Sequence, residues 1–363
     1  MAHCRKTQLS VLLNNFCNLS CLYCYVGRET GKKKEQISLE FAKRGILDFF
    51  ERYPSREIRF FAAGEPTLSF KIMRDIYDWT MEITDSDCRF ELQTNGYFNR
   101  KIAKWIAQSI DICWISCDGM ADIQNYYRPT ISGMSTSNII EKNISFLSSK
   151  PLALGCRATI TPKNITRQTE MVDYFRRLGV RAVMSDPMFA SVSEKNSMSQ
   201  NVRQFDLLNY AKNFLEARRY AEKVGIFYGS ILTVNFDEKT DLFCRACVPY
   251  PHLLPDGFVS CCDMASSGGN QKMNDLIYGE YDSQGDVINY DQDKIKKIQS
   301  RIAENMPYCK NCEVLNNCAG ACLGEALNET GSMFGIKPQV CEAIKYLASN
   351  MQLNAGLYPF LHP

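Results

Sequence analysis

Histidine is scarce in this chain of 363 residues, which has only three: His3, His252 and His362. Two of them stand near the termini, so a metal site or a general base built on histidine is not expected. Charge of one sign is also lacking, because 42 basic residues stand against 40 acidic ones and leave a net charge of +2. Such a chain lacks the excess of positive charge that binding to nucleic acid or to an anionic membrane requires. Neither is expected as a partner.

Long hydrophobic runs are missing as well. No stretch approaches the roughly 18 apolar residues of a membrane span, and the first residues do not resemble a signal peptide. We therefore expect a cytoplasmic protein. In such a reducing compartment the 17 cysteines are unexpected, and their odd number excludes complete internal pairing. Ligation of a metal or a cluster explains them better than disulfides do.

The first 235 residues or so alternate between short β-branched or aromatic runs and longer amphipathic stretches. Six such units predict an α/β fold with a parallel sheet, and a partial (β/α)6 barrel similar to a TIM barrel fits them at least as well as an open sheet. The predicted strands are Leu9–Leu13, Ile58–Ala62, Arg89–Gln93, Ile112–Ser116, Leu152–Ile160 and Val180–Met184. The predicted helices are Leu39–Phe50, Lys71–Ile83, Lys101–Ser109, Ser137–Leu147, Glu170–Arg177 and Phe205–Lys223.

The chain changes character after about residue 235, where it becomes cysteine-dense and rich in turn residues. We predict a barrel domain over 1–235, a cysteine-rich domain over 236–345, and the end of a last helix with a tail over 346–363. The last helix is predicted over Cys341–Met351. A polar loop is predicted over Ser191–Val202.

Three cysteines, Cys17, Cys21 and Cys24, follow the first predicted strand on one short loop. Thiolates at such spacings hold iron–sulfur clusters. Three ligands for a four-iron cluster leave one iron open, and an open position distinguishes a catalytic metal site from a closed structural one. The alternatives are a structural zinc knuckle that lacks its fourth ligand, or chance.

The CxxxCxxC spacing, with Tyr23 before the last cysteine and a β/α barrel around it, resembles the signature of the radical S-adenosylmethionine (SAM) superfamily. The resemblance implies that SAM chelates the open iron through its amino and carboxylate groups. It also implies the chemistry: an electron from the reduced cluster splits SAM, and the resulting 5′-deoxyadenosyl radical abstracts a hydrogen atom from the substrate.

Further barrel segments resemble SAM-binding motifs of that superfamily. Ala63, Gly64 and Glu65, which precede Pro66, resemble its Gly-Gly-Glu-Pro motif, which binds the methionine amino group; an ordinary turn is the alternative, and Ala63 departs from the family's first glycine. Segments that line the SAM ribose and carboxylate have counterparts here, although each residue could also serve a surface ion pair. These counterparts are Ser116, Asp118, Arg128, Arg157 and Thr159.

The cysteines of the second domain match the seven-cysteine pattern of the SPASM domain, a C-terminal extension with two auxiliary iron–sulfur clusters. The resemblance therefore implies three 4Fe-4S clusters in total. Two all-cysteine clusters need eight thiolates, and Cys244 is the obvious eighth, with Cys261 as an alternative. By resemblance, the first auxiliary cluster takes Cys244, Cys247, Cys262 and Cys322, and the second takes Cys309, Cys312, Cys318 and Cys341. Zinc is the competing interpretation, because CxxC pairs also build zinc ribbons.

The substrate is inferred only from the resemblance, since SPASM enzymes mostly modify peptides or proteins. We expect an oxidoreductase that oxidatively modifies a peptide or protein side chain, as in ribosomal-peptide cross-linking. One alternative is formylglycine formation in sulfatases with Asp263 as the general base, because that residue resembles the aspartate base of anaerobic sulfatase-maturating enzymes. Dehydrogenation of a small alcohol and a non-catalytic cysteine-rich metal module are the others.

Two protein partners follow from this expectation. A reducing flavodoxin or ferredoxin would supply the electron for SAM cleavage. Only about seven residues precede the first predicted strand, so a peptide maturase of this architecture would need a separate leader-binding protein or would bind its substrate directly.

Overall fold

The computed structural model describes residues 7–26, 33–190, 192 and 205–355. Eleven strands form one sheet in the described part. In chain order they are β1 (Leu9–Leu12), β2 (Glu57–Phe61), β3 (Arg89–Thr94), β4 (Ile112–Ser116), β5 (Ala153–Ile160), β6 (Ala182–Pro187), β7 (Phe227–Gly229), β8 (His252–Leu253), β9 (Phe258–Ser260), β10 (Ile277–Asp282) and β11 (Val287–Tyr290).

Strands β1 to β7 lie side by side in chain order, and every neighbouring pair among them is parallel. Parallel neighbours need crossover connections, and helices provide them: α1 (Leu39–Arg52), α2 (Phe70–Ile83), α3 (Arg100–Ser109), α4 (Ala121–Tyr127), α5 (Ser137–Ser148), α6 (Gln168–Arg177) and α7 (Leu207–Val224). Strands β7 and β11 end the sheet, so it does not close within the described residues. The predicted α/β partial barrel is confirmed.

The two faces of the parallel strands differ in chemistry because successive side chains point to opposite sides. Leu9, Val11 and Phe60 belong to the main hydrophobic core. On the other face Ser10 lies opposite Arg59, and Arg59 lies opposite Glu91. The inner face of the partial barrel therefore carries buried polar and charged groups, which need partners there.

The second domain extends the same sheet. Strand β8 pairs in parallel with β1, and antiparallel pairs then connect β8, β9, β10 and β11. Four further helices follow: α8 (Gln292–Gln299), α9 (Leu315–Cys318), α10 (Leu323–Thr330) and α11 (Pro338–Asn350). Helix α11 packs against α7 of the barrel. The predicted boundary near residue 235 marks a change in composition, but the sheet continues across it.

Most predicted elements are present within a few residues of their predicted ends, including the last helix. Strands β7 to β11 and helices α4, α8, α9 and α10 were not predicted. The predicted loop Ser191–Val202 lies outside the described residues apart from Val192. In the described part of the chain, no helix combines the length and the apolar character that crossing a membrane requires.

Candidate active site

The loop after β1 carries Cys17, Cys21 and Cys24, as the spacing predicts. Backbone hydrogen bonds attach it to the segment after α4: Ser20 N donates to Pro129 O at 2.7 Å and Leu22 N to Tyr127 O at 2.9 Å. All three thiols are partly buried, and none of the 16 described cysteines forms a disulfide. The loop thus holds three unoxidised sulfur donors at the carboxyl end of the parallel strands, where barrels build active sites.

The surroundings of these thiols fit a metal-bound group. Burial raises the pKa of Cys17 to about 11 and that of Cys21 to about 12. A metal binds the thiolate, so binding would displace these protons. Hydrogen-bond donors are already directed at the sulfurs: Asn95 Nδ2 lies 3.6 Å from Cys17 Sγ, and Arg128 Nη1 lies 3.9 Å from Cys21 Sγ. The three thiols, with donors directed at two of their sulfurs, fit an iron–sulfur cluster.

The segment after β2 packs directly on the cysteine loop. Glu65 N donates to Phe16 O at 2.9 Å, and a Cβ on Gly64 would lie 1.9 Å from that same oxygen. Glycine is therefore required at position 64 by the approach of the cysteine loop itself. Ala63, directly after Ala62 at the end of β2, is partly buried beside this contact.

Glu65 is buried and already accepts four hydrogen bonds. Its Oε1 accepts from Thr67 N at 3.0 Å, Thr67 Oγ1 at 2.7 Å and Thr94 Oγ1 at 2.6 Å, and its Oε2 accepts from Asn95 N at 2.7 Å. Burial raises the pKa of Glu65, although these hydrogen bonds act in the opposite direction and lower it. The carboxylate fixes the turns after β2 and β3, and Oε2 retains capacity for one more donor. Its contact with the SAM ammonium stays a prediction.

Asp118 connects three of the predicted SAM-binding residues. It is fully buried, accepts a hydrogen bond from the Tyr23 hydroxyl, and forms an ion pair with Arg128 Nε at 3.2 Å. Thr159 N donates at 3.0 Å to Oδ1, the oxygen that also pairs with Arg128. Because Arg128 also reaches Cys21, this network joins the cysteine loop to the ends of β4 and β5.

Ser116 and Arg157 are neighbours across β4 and β5. Arg157 Nη2 forms an ion pair with Asp186 Oδ2 at 2.9 Å, and Asp186 Oδ1 accepts from Ile231 N at 2.6 Å. The structure therefore places both residues beside the Asp118 network. Arg157 has a carboxylate partner of its own, so its contact with a SAM carboxylate stays a prediction.

The cysteines predicted for the first auxiliary cluster lie together. Cys244 interacts electrostatically with Cys247, Cys262 and Cys322, and a Cβ on Gly324 would lie 2.9 Å from Cys262 Sγ. Cys261 interacts with Cys262 and Cys247 but is almost completely buried in the hydrophobic core. This arrangement favours Cys244 over Cys261 as the fourth donor.

The cysteines predicted for the second auxiliary cluster line one cavity of about 530 Å³, counting its open mouth. The thiols on its wall are Cys309, Cys312, Cys318 and Cys341, with Cys322 at the side toward the first group. Apolar side chains that include Val314, Val340 and Ile344 form much of the rest of the wall, together with Glu325 and two lysines. Four thiols on the wall of one cavity fit an all-cysteine cluster.

The donor geometry also bears on the zinc alternative. Over the described ranges, no three His, Cys, Asp or Glu side chains are arranged to hold a single metal ion. All ligands of one zinc ion lie about 2.0–2.3 Å from it, whereas a four-iron cluster distributes its thiolates over separate metal atoms. Zinc therefore requires a tighter arrangement of its ligands than a four-iron cluster does.

Asp263 lies between the second domain and the barrel interior. Arg59 on β2 donates to both of its carboxylate oxygens, with Nη1 at 3.1 Å from Oδ2, and His252 Nδ1 lies 3.2 Å from Oδ1. Although burial opposes it, Arg59 and His252 hold the pKa of Asp263 well below its usual range. Burial lowers the pKa of His252 to about 4, so this histidine is neutral at pH 7.

Several residues of these sites were not found from the sequence. Asn95 donates from its side chain to Cys17 and Asn18, and from its backbone to Glu65. A polar Thr-Asn-Gly segment directly after β3 was the signal that could have identified it. Arg59, His252 and Arg301 gave no such signal, because their partners are distant in the chain.

Comparison with known proteins agrees with this geometry. Residues 11–150 match the family model described as Radical SAM superfamily. A cysteine-type anaerobic sulfatase-maturating enzyme of Clostridium novyi is 22% identical over 336 residues, which cover 84% of each chain.

Two solved structures share the fold. Native anSMEcpe with bound AdoMet and Cp18Cys peptide has a TM-score of 0.73 at 19% identity, and covers 94% of this chain and 96% of its own. Streptococcus suis SuiB bound to precursor peptide SuiA has a TM-score of 0.63 at 15% identity, and covers 93% and 76%.

The chain carries a radical SAM domain, and the family defined by this domain works with SAM and a 4Fe-4S cluster. It is related to sulfatase-maturating enzymes, and it shares its fold with SuiB. The non-catalytic metal module is therefore no longer a competing interpretation.

Proposed function

We propose that this chain is a three-cluster radical SAM enzyme that oxidatively modifies a side chain of a peptide or protein. The observation that carries the proposal is the cavity formed by Cys309, Cys312, Cys318 and Cys341. A radical SAM domain needs one cluster to cleave SAM. Two further all-cysteine sites offer electron acceptors within the same chain, which suits a reaction that removes electrons from its substrate.

The barrel residues position the reaction. Cys17, Cys21 and Cys24 would hold the SAM-binding cluster, and the network of Tyr23, Asp118 and Arg128 would fix the loop that carries it. When bound, SAM and this cluster supply a radical that abstracts a hydrogen atom. The chain's contribution is to orient the substrate carbon and exclude side reactions.

A peptide substrate is supported by the proteins that share the fold. The solved structure of anSMEcpe contains a bound peptide, and that of SuiB contains its precursor peptide. The inner face of this barrel carries charged groups such as Arg59, Glu91 and Arg157. Buried charges of both signs suit an extended polar ligand better than a small apolar one.

Formylglycine formation is the second candidate, favoured by the similarity to sulfatase-maturating enzymes and by the place of Asp263 beside the first auxiliary group. A carboxylate paired with a guanidinium fork is a weak base, so the contacts of Asp263 with Arg59 support the anchoring of the second domain more than proton transfer. This is why side-chain modification without Asp263 as the base is the primary proposal.

The test is product analysis on anaerobically reconstituted enzyme with SAM and a strong reductant. Peptides carrying deuterium at candidate carbons are offered, and transfer of deuterium into 5′-deoxyadenosine identifies the carbon attacked. A peptide product that has gained a cross-link, or has lost two hydrogens without forming an aldehyde, supports the proposal. A peptide aldehyde from a cysteine or serine supports formylglycine formation instead, and deuterium transfer only from small alcohols would refute both.

The protein partners are part of this proposal. Reduced flavodoxin or ferredoxin should replace the chemical reductant in SAM cleavage. A leader-binding protein is required only if a full precursor peptide is modified far faster in its presence than alone.

A further inference from the structure

Arg301 is the largest of the completely buried side chains in the described part of the molecule. It follows α8 and lies between the two proposed auxiliary ligand sets. Its Nε donates to Met333 O at 2.6 Å, and Nη1 donates to Ala319 O at 3.2 Å. Its Nη2 donates to Gly320 O at 2.8 Å and Ala321 O at 2.9 Å.

No carboxylate among the described residues forms an ion pair with Arg301. The neutral carbonyl oxygens satisfy its hydrogen bonds but leave its charge uncompensated. Burying an unpaired charge is costly. A group that supplies negative charge is therefore expected close to this guanidinium.

The first auxiliary ligand set lies in direct contact with the guanidinium. Nη1 of Arg301 lies 3.9 Å from Cys247 Sγ. The thiolate of Cys247, once it binds iron, would place negative charge beside the buried cation.

One loop, which directly follows Cys318, connects Arg301 with the second ligand set. Ala319, Gly320 and Ala321 all have positive φ angles, of 46°, 80° and 60°. Alanine is unfavourable in this region unless the surroundings hold it, and here two alanines flank Gly320. The conformation turns all three carbonyls toward Arg301, while Ala321 N donates to the backbone oxygen of Cys318 at 3.0 Å. The loop that binds Arg301 is therefore also attached to Cys318, a member of the second ligand set.

We propose that Arg301 is the fixed counter-cation of both auxiliary clusters and raises their reduction potentials, most strongly at the cluster bound by Cys247. The inference rests on the proposed function, because it needs the two clusters to be present. Net charge and hydrogen bonds to the sulfurs set the potential of such a cluster. A positive charge favours the reduced state, so Arg301 helps an oxidised auxiliary cluster to take the one electron that a substrate radical gives up, while the substrate proton passes to solvent.

The experiment measures reduction potentials rather than turnover. The full-length chain is reconstituted anaerobically with Cys17, Cys21 and Cys24 all replaced by alanine, so that only the auxiliary clusters remain. EPR-monitored titration then compares wild-type position 301 with Arg301→Gln, a neutral side chain that can still donate to the loop carbonyls. We expect Arg301→Gln to shift the reduction equilibrium of the cluster bound by Cys247 toward the oxidised state by at least tenfold, which is about 59 mV for a one-electron couple. The second cluster should shift less.

Arg301→Lys retains the charge and should restore most of the potential. Arg218→Gln is the matched control, since Arg218 is also buried but donates to Tyr228 O at 3.0 Å and pairs with Glu222 at 3.2 Å on α7. The control should leave both potentials unchanged.

Each outcome decides the point. Unchanged potentials in a fully loaded Arg301→Gln enzyme overturn the inference and leave the proposed function intact. If Arg301→Gln does not load clusters but Arg301→Lys does, the charge is needed for loading and the inference stands. If neither variant loads, a purely structural role replaces it. Absence of any auxiliary cluster in the parent protein would instead overturn the proposed function.

Discussion

The barrel site and the second domain both place a buried arginine against a cluster cysteine, but they balance its charge differently. Arg128 Nη1 lies 3.9 Å from Cys21 Sγ, and Arg301 Nη1 lies 3.9 Å from Cys247 Sγ. Arg128 is paired with the buried carboxylate of Asp118, whereas among the described residues Arg301 contacts backbone carbonyls and the Cys247 thiol but forms no ion pair with a carboxylate. The arginine charge beside Cys21 is thus balanced by a carboxylate, and the arginine charge beside Cys247 is not.

This difference matches opposite electrochemical tasks. A cluster that must reduce SAM needs a low potential, and a neutralised environment does not raise it. A cluster that accepts electrons from a substrate benefits from nearby positive charge. The proposed number of ligands differs in the same direction, since three cysteines would leave the barrel cluster open and four would close each cluster of the second domain.

The largest effect is expected when the barrel site loses its three cysteines, because only one of the two regions should then lose its cluster. Replacing Cys17, Cys21 and Cys24 with alanine should reduce SAM cleavage to background, because the open cluster cannot form, while both auxiliary clusters still load. The measurements are 5′-deoxyadenosine formation and iron content. Cys156→Ala, at a cysteine buried in the barrel core, is the control and should retain cleavage. Cleavage surviving in the triple variant would remove the barrel site from the mechanism.

The complementary change is in the second domain. Cys341→Ala should lower product formation by about tenfold or more while SAM cleavage continues, because the second auxiliary cluster loses a ligand but the barrel site does not. Product and 5′-deoxyadenosine are measured in the same assay, so their ratio reports uncoupling. Cys113→Ala, which removes another buried cysteine, should leave the ratio unchanged. An equal fall in both quantities would contradict the division of tasks.

A third change makes the barrel site resemble the second domain. Asp118→Asn removes the carboxylate that balances Arg128, and breaking a buried ion pair costs about 3–5 kcal/mol of folding free energy. Thermal unfolding should show this loss. The potential of the barrel cluster should rise, and SAM cleavage should slow. Glu222→Gln, which breaks a partly exposed pair with Arg218, is the control; if its effects match those of Asp118→Asn, charge balance at Cys21 is not the cause.

The smallest effect is expected at the contact between the two regions. Asp263→Asn should lower stability by about 1.5–3 kcal/mol, since hydrogen bonds to a charged partner are lost, but turnover should persist. Denaturant unfolding and product formation are measured together. Asp275→Asn, at an exposed pair with Lys297, should change neither. Loss of turnover with clusters intact would instead identify Asp263 as the base and favour formylglycine formation.

The sequence predicted the parts of the fold that repeat. Strands β1 to β6 alternate with amphipathic helices, so hydrophobic periodicity located them within a few residues. Strand β8 has two residues, His252 and Leu253, and two residues carry no periodicity. Its parallel pairing with β1, which extends the barrel sheet into the second domain, is a long-range contact that no local pattern encodes.

The candidate site was also predictable only in part: the sequence indicated its thiols but not the charged groups around them. Cysteine spacing and the family resemblance predicted which thiols should meet, and the structure brings them together. The charges around them were not predictable, since Arg59 and Asp263 are 204 positions apart. Arg301 is even harder to identify from the sequence, because most of its partners are backbone carbonyl groups, which every residue has. Nothing in the sequence therefore distinguishes it from a surface arginine.

Helix α11 contributes Cys341 to the cavity of the second ligand set and packs on α7 of the barrel. Cys341 lies near the end of the chain, so it can enter this cavity only after most of the polypeptide has been synthesised. The site proposed for the second auxiliary cluster is therefore complete only after translation has passed the helix, and a shorter nascent chain has three of its four proposed ligands.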